Sequence, residues 1–183
     1  MRRRLFVAAG LDDAARAECA RVADQLRRKR WPGRWVAPEN YHLTVAFIGG
    51  VDEDRIADVI AAVHAVAARI PAVAVPLIAV GAFPNERKPR VAWVGSRAPV
   101  PAFGTLCGVV RTSLAALGFV FDAHADPHVT LARSDGSVAL PPVEQPRSAP
   151  LRIQALTLYE SITRPTGAQY TAIEHFPLDA GVS

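Results

Sequence analysis

The residues best suited to chemistry in this chain are two short copies of one pattern. His42-Leu43-Thr44-Val45 returns as His128-Val129-Thr130-Leu131, each reading His-x-Thr-apolar. Successive side chains of a β-strand point to opposite faces, so the His and Thr of each copy share one face. Leu43 and Val45, or Val129 and Leu131, then turn to the other face and can anchor the strand in a core. Histidine gives and takes protons near neutral pH. A threonine hydroxyl two residues on can hold a non-bridging phosphate oxygen. One copy alone reads as an ordinary packed or surface histidine. With two, one imidazole can deprotonate a nucleophile while the other protonates the leaving oxygen. That arrangement suits phosphodiester cleavage without a metal. A cyclic phosphate suits it best, since one water must enter in line as one ribose oxygen leaves.

The elements that would carry these motifs also recur. His42 and His128 lie 86 residues apart, and the same offset lays Leu5–Gly10 on Val91–Ser96, Arg16–Arg30 on Ala102–Ala116, and Trp35 on Phe121. A shared offset over two strand-helix-strand-strand stretches predicts an internal repeat, approximately 5–48 and 91–134. In order, Leu5–Ala9 reads as a buried strand, and Asp12 or Asp13 caps a helix to about Arg30 with Ala15, Cys19, Val22 and Leu26 inward. Arg34–Ala37 is a short strand, and Tyr41–Ile48 is the first motif strand, ended by Gly49-Gly50. Asp52–Ile70 is a second amphipathic helix, with His64 as a surface or packing residue. Val73–Phe83, interrupted by Pro76, and Arg90–Val94 follow as strands. Pro99 opens a third helix that Gly118 terminates, and Phe119–Ala123 is a strand leading to His128–Ala132. Ser134–Pro150 is a loop, and Leu151–Ile162 and Gln169–Phe176 form a closing pair around Arg164-Pro165-Thr166-Gly167.

Adjacent strands without helical crossovers predict an α+β fold with mostly antiparallel sheets. Combined with the repeat, this gives one bilobed, pseudo-two-fold domain over 1–183. Its β-α-β-β units face a central cleft, with the helices outside.

Composition narrows the function. The chain has 183 residues, half of them hydrophobic, which allows a sizeable core and argues against disorder. The net charge of +4 suits a phosphate-bearing partner, and basic residues cluster at Arg2-Arg3-Arg4 and Arg27-Arg28-Lys29-Arg30. The second cluster reads equally well as a helix end, where cations suit the macrodipole. Cys19 and Cys107 form no metal pair or disulfide framework, so a reducing cytoplasm is expected. The most apolar region, Ile56–Val80, is broken by Asp58, Arg69, Pro71 and Pro76, which speaks against a membrane span. Trp35, Tyr41 and Phe121 could each stack on a base, although Trp35 and Phe121 read better as core.

The paired motifs resemble the signature of the two-histidine (2H) phosphoesterases. Arg34-Trp35-Val36-Ala37-Pro38-Glu39-Asn40 before the first motif, Phe47-Ile48-Gly49-Gly50 after it, His128–Arg133 at the second, and the opening Arg4–Ala8 resemble one branch in particular. That branch is the RNA 2′,3′-cyclic phosphodiesterases, or 2′-5′ RNA ligase-like proteins. The resemblance implies metal-independent opening of 2′,3′-cyclic phosphate ends to 2′-phosphomonoesters, with His42 as proton donor and His128 as proton acceptor. It implies that Thr44, Thr130 and Arg133 bind the phosphate, and it leaves open reversible 2′-5′ ligation. The expected partner is RNA or a nucleotide with a cyclic phosphate, bound by a monomer that needs no cofactor. Two other readings remain at this point. Asp122, His124, Asp126 and His128 alternate and could ligate a metal in a metal-dependent phosphohydrolase, although Pro127 bends the run. A non-catalytic RNA-binding module would explain the basic clusters but not the repeated His-Thr pair.

Overall fold

The structure, a computed structural model, describes residues 1–122, 126–147, 149–164 and 167–179. The first half contains β1 (Arg2–Gly10), α1 (Asp13–Arg28), β2 (Arg34–Trp35), β3 (His42–Asp52), α2 (Ile56–Ala67), β4 (Val73–Val75) and β5 (Ala79–Phe83). The second contains β6 (Val91–Gly95), α3 (Pro101–Ala115), β7 (His128–Arg133), β8 (Leu151–Ile153), β9 (Ala155–Arg164) and β10 (Gly167–Pro177). Short 3-10 turns at Pro38–Asn40 and Glu53–Arg55 lead into β3 and α2.

Leu5 to Ala9 is apolar without alternation, as a strand covered on both faces must be, and it lies in the middle of a sheet. That sheet has the order β10-β9-β1-β3, and a second has the order β2-β7-β6-β5. β4 and β8 form a separate ribbon. All the strand ladders described are antiparallel, which makes the fold α+β.

The helices explain why the motif strands stay put. Asp12 caps α1 by accepting from the Ala15 N–H at 2.7 Å, and Ala15, Cys19, Val22, Ala23 and Leu26 form its buried stripe. In α3 the stripe is Phe103, Leu106, Cys107, Val110 and Leu114, and Gly118 ends the helix with φ +90°. Both stripes share one core with Leu43, Val45, Val129 and Leu131, all fully buried. Each of those four side chains contributes roughly 1.5–3 kcal/mol by burial. α1 follows β1 but packs against β7, while α3 follows β6 but packs against β3. Each motif strand is thus backed by a helix from the other half.

Several boundaries differ from the sequence expectation, each for a local reason. β3 does not end at Gly49-Gly50; the ladder slips between Leu5 and Phe6, Gly49 takes φ +82°, and pairing continues to Asp52. α2 begins only at Ile56, after the 3-10 turn, and α3 begins at Pro101 rather than Pro99. A proline fits a first helical turn, which needs no N–H there. Leu151–Ile162 is two strands split at Gln154, since β8 pairs with β4 and β9 with β1. Phe119–Asp122 forms no strand, and Ala123, like Pro165 and Thr166 of the last turn, lies outside the described residues.

Candidate active site

The two motif strands share one local geometry. His42–Phe47 and His128–Arg133 have the same succession of burial: half-buried, buried, half-buried, buried, buried, exposed. The two successive buried positions follow from a bulge. Ala8 pairs with Thr44 but Val7 with Ala46, and Trp93 pairs with Thr130 but Ala92 with Ala132. Val45 and Leu131 are therefore the extra residues, both turned inward, while His and Thr keep the opposite face. His42 pairs with Gly10 and His128 with Gly95, so the partner strands match at an offset of 85, one residue short of the histidine spacing.

The imidazoles are held alike. His42 Nδ1 lies 2.7 Å from the Asn40 carbonyl oxygen, and His128 Nδ1 lies 2.9 Å from that of Asp126. A carbonyl only accepts, so each Nδ1 carries the hydrogen and donates it, which leaves both Nε2 atoms for a substrate. Phe6 and Tyr170 pack the His42 ring at centroid distances of 5.0 and 5.3 Å. Phe83 meets the His128 ring edge-on at 4.9 Å. Burial pushes both imidazoles below their ordinary pKa. For His42 the Asn40 carbonyl opposes this and the nearby His128 reinforces it. For His128 the Asp126 carbonyl and carboxylate oppose it, and Arg133 reinforces it. An anion between the rings would reverse much of the effect by favouring the charged forms.

All five residues singled out by sequence line one cavity of about 150 Å³: His42, Thr44, His128, Thr130 and Arg133. Arg133 is exposed, and its guanidinium makes no hydrogen bond or ion pair with a described residue. Sequence reasoning missed the other walls of this cavity, Phe6, Val36, Phe47, Ser161 and Tyr170. They arrive from β1, β2's continuation, β3, β9 and β10, and only Phe6, Val36 and Phe47 lie in stretches that flank the motifs or resemble the family's. Tyr41 is buried away from the cleft, and Trp35 is half-buried between Trp31 and the Arg27 guanidinium. That stacking, with the Arg27–Asp24 pair at 2.7 Å, occupies part of the basic helix end. At the other cluster Arg3 pairs with Glu160 at 2.6 Å, whereas Arg4 lies over Phe47 at the cleft rim. A second cavity of about 290 Å³ shares His128 and adds Phe83, Trp93 and Arg97.

Of the alternative metal set, His124 lies outside the described residues. Among the described residues no three His, Cys, Asp or Glu side chains converge as ligands.

Comparison with known proteins bears on the same residues. The sequence model of the LigT like phosphoesterase family matches residues 10–93, which include the first motif. An RNA 2′,3′-cyclic phosphodiesterase of Thermus thermophilus is 31% identical over 186 residues, spanning 96% of this chain and 90% of its own. The chain belongs to the LigT-like phosphoesterases. Within that family, the RNA 2′,3′-cyclic phosphodiesterase of Thermotoga maritima is 24% identical over 98% of this chain and 97% of its own. The crystal structure of E. coli LigT complexed with 3′-AMP superposes with a TM-score of 0.79 at 27% identity, covering 98% of this chain and 99% of that one. The LigT-like phosphoesterase described here is therefore an enzyme of phosphate esters. Among its described residues no helix is long and apolar enough to cross a membrane.

Proposed function

We propose that this phosphoesterase hydrolyses RNA 2′,3′-cyclic phosphate ends to 2′-phosphomonoesters by metal-independent acid/base catalysis between His42 and His128. One observation carries the reading. Two imidazoles, each with Nδ1 tied to a carbonyl, line one cavity together with two threonines and an arginine that has no described partner. His128 accepts the proton of the attacking water, and His42 donates one to the departing ribose oxygen. Over the full turnover the two exchange states, and the next cycle resets them through solvent. Thr44 and Thr130 donate hydroxyl hydrogen bonds to the non-bridging oxygens, and Arg133 offsets the charge that builds on them. Water replaced by a 5′-hydroxyl would give 2′-5′ ligation by the same steps. The names of the relatives and the 3′-AMP complex of E. coli LigT support a nucleotide phosphate as substrate. We also read 5–48 and 91–134 as two copies of a repeat in one bilobed domain, each supplying one imidazole. The shared bulge and the shared Nδ1 contact support that reading.

The test is to give the purified protein an oligonucleotide ending in a 2′,3′-cyclic phosphate, with and without EDTA, and to locate the product phosphate. Turnover unchanged by EDTA, with the phosphate on the 2′ oxygen, is the expected result. Activity abolished by EDTA and restored by a divalent cation would replace this reading with the metal-dependent one. Binding without turnover would leave an RNA-binding module.

A further inference from the structure

A β-bulge leaves the extra residue's backbone groups out of the ladder, so something else must satisfy them. The two motif strands solve this differently. In β7 the bulged Leu131 carbonyl accepts from the Val36 N–H at 2.8 Å, just beyond β2, which itself pairs with Ala132 and Arg133. In β3 the bulged Val45 carbonyl accepts instead from Arg111 Nε, at 2.8 Å. The same guanidinium donates from Nη1 to the Asp122 carbonyl at 3.0 Å. Asp122 lies in the segment that the 86-residue offset lays on β2's continuation, and that segment makes no ladder with β3. Where one half uses a strand, the other uses the planar fork of an arginine.

We propose that Arg111 is a positioning residue that sets the separation of the two imidazoles, an inference that rests on the proposed two-histidine reaction. Its two described partners belong to the two motif-bearing stretches of the chain. Val45 directly follows Thr44 in the strand of His42. In the sequence Asp122 precedes Asp126, whose carbonyl holds His128 Nδ1. Arg111 is half-buried on α3, the helix that packs against β3, so its fork starts from a fixed base. A guanidinium presents its donors in one rigid plane, so the two carbonyls are kept at a set distance, whereas an ammonium, with all its donors on one flexibly held nitrogen, fixes that distance less well. In-line opening of a cyclic phosphate needs both imidazoles in register with one phosphorus, and a misplacement of about 1 Å can cost ~10²-fold in rate. Thr44, Thr130 and Arg133 would still hold the phosphate, so the loss should fall on turnover more than on binding.

The experiment compares Arg111→Ala and Arg111→Lys with the parent enzyme on a nucleoside 2′,3′-cyclic phosphate. It reads kcat, KM, melting temperature and the imidazole NMR signals of His42 and His128. The expected result is a kcat lowered by roughly 10- to 100-fold in Arg111→Ala with KM little changed. Arg111→Lys should recover part of the loss, and millimolar guanidinium should restore Arg111→Ala without speeding the parent. The His128 Nδ1–H signal should exchange faster in Arg111→Ala while the backbone amide spectrum stays that of the folded protein. An unchanged kcat in both variants would overturn the proposal. So would a loss that tracks the unfolded fraction, shows no rescue and leaves the His128 signal as it was. Because the NMR signals need no turnover, a parent enzyme inactive on this substrate would refute the proposed function while still reading the positioning by Arg111.

Discussion

The strands carrying His42 and His128 are alike in backbone and unlike in surroundings. Both bulge after the threonine, both set the histidine opposite a glycine, and both tie Nδ1 to the carbonyl two residues back. These shared features fix the tautomer, so either imidazole can present Nε2 to a phosphate. The differences lie in side chains. Where the first strand has Phe47, beneath Arg4, the second has Arg133. His42 is enclosed by Phe6 and Tyr170, whereas His128 feels the Asp126 carboxylate and the Arg133 cation. A shared backbone frame thus presents two imidazoles alike, and their unlike lining would let the proposed acid and base take different tasks.

The comparison is broken most severely by removing either imidazole. His42→Ala and His128→Ala should each lower kcat/KM by at least the ~10²–10⁴ typical of a general acid or base, with little change in melting temperature. The double variant should be no slower than the worse single one, since the two act on one proton-transfer cycle. A double variant slower by the product of the two effects would mean that they serve separate sites. In the parent, kcat/KM should be bell-shaped, with both limbs at or below about pH 6.5, because burial lowers both imidazoles in the free enzyme. The profile of kcat should lie at higher pH, because the bound phosphate favours the protonated rings.

Arg133 and Phe47 occupy corresponding positions, so exchanging their chemistry tests the asymmetry directly. A charge-assisted hydrogen bond contributes about 1.5–3 kcal/mol, so Arg133→Ala should lower kcat/KM by roughly 10- to 100-fold and weaken inhibition by phosphate. Arg133→Lys should recover only part of this, because an ammonium cannot copy the planar fork. Thr44→Val and Thr130→Val should act in the same direction but more mildly. The pH optimum should stay in place in Arg133→Lys and in the two threonine variants, whereas Arg133→Ala removes a cation that lowers His128 and should move the limb set by that imidazole to higher pH. Phe47→Ala should leave phosphate inhibition nearly unchanged. Equal losses for Arg133→Ala and Phe47→Ala would show that the lining is not what divides the roles.

Much of this arrangement was legible in the sequence, and what was hidden was hidden for physical reasons. The His-x-Thr spacing announces a shared face because strand geometry is local, and the stripes Ala15–Leu26 and Phe103–Leu114 announce the helices that back it. Pairing partners are not local. Nothing around Arg34–Ala37 says that it will join the sheet of the second motif, or that Phe119–Asp122 will fail to do the equivalent. Tyr170 and Ser161 reach the cleft only because β9 returns to β1, a long-range pairing, and β10 pairs with β9. Gly49-Gly50 looked like a strand end because glycine is common in turns, yet here it lets the strand bulge and continue.

The two glycines opposite the histidines offer a finer test. A Cβ added at Gly95 would lie 2.3 Å from the Pro127 carbonyl oxygen and 3.0 Å from His128 Cα, whereas one at Gly10 would meet nothing within 4 Å. The backbone entering β7 would have to shift in Gly95→Ala, and the His128 ring would move with it. Gly95→Ala should therefore lower kcat by about tenfold, a fraction of the ~10² that a 1 Å displacement can cost. Gly10→Ala should leave kcat near the parent value. If both substitutions are silent, the close approach at Gly95 does not hold His128.

The smallest effect concerns stability, and its sign follows from the same burial. Both imidazoles titrate lower in the folded chain than the ordinary 6.5 they regain on unfolding. As pH falls below that value the unfolded chain binds protons that the folded chain refuses, so folding weakens until the folded values are passed. Above neutral pH neither state binds these protons and the cost vanishes. The slope is at most about 1.4 kcal/mol per pH unit per imidazole. The paired carboxylates Glu18, Glu86 and Glu160 are held below their own ordinary value by Arg21, Arg97 and Arg3, so their contribution is lost at lower pH. Urea denaturation between pH 7 and 5 should therefore show a loss of stability that shrinks in a His42→Gln/His128→Gln double variant. Added phosphate should shrink it in the parent but not in that variant, because an anion in the cleft relieves the cost of charging the rings only where the rings are present. A pH dependence identical in the two proteins would show that neither imidazole is held neutral by the fold.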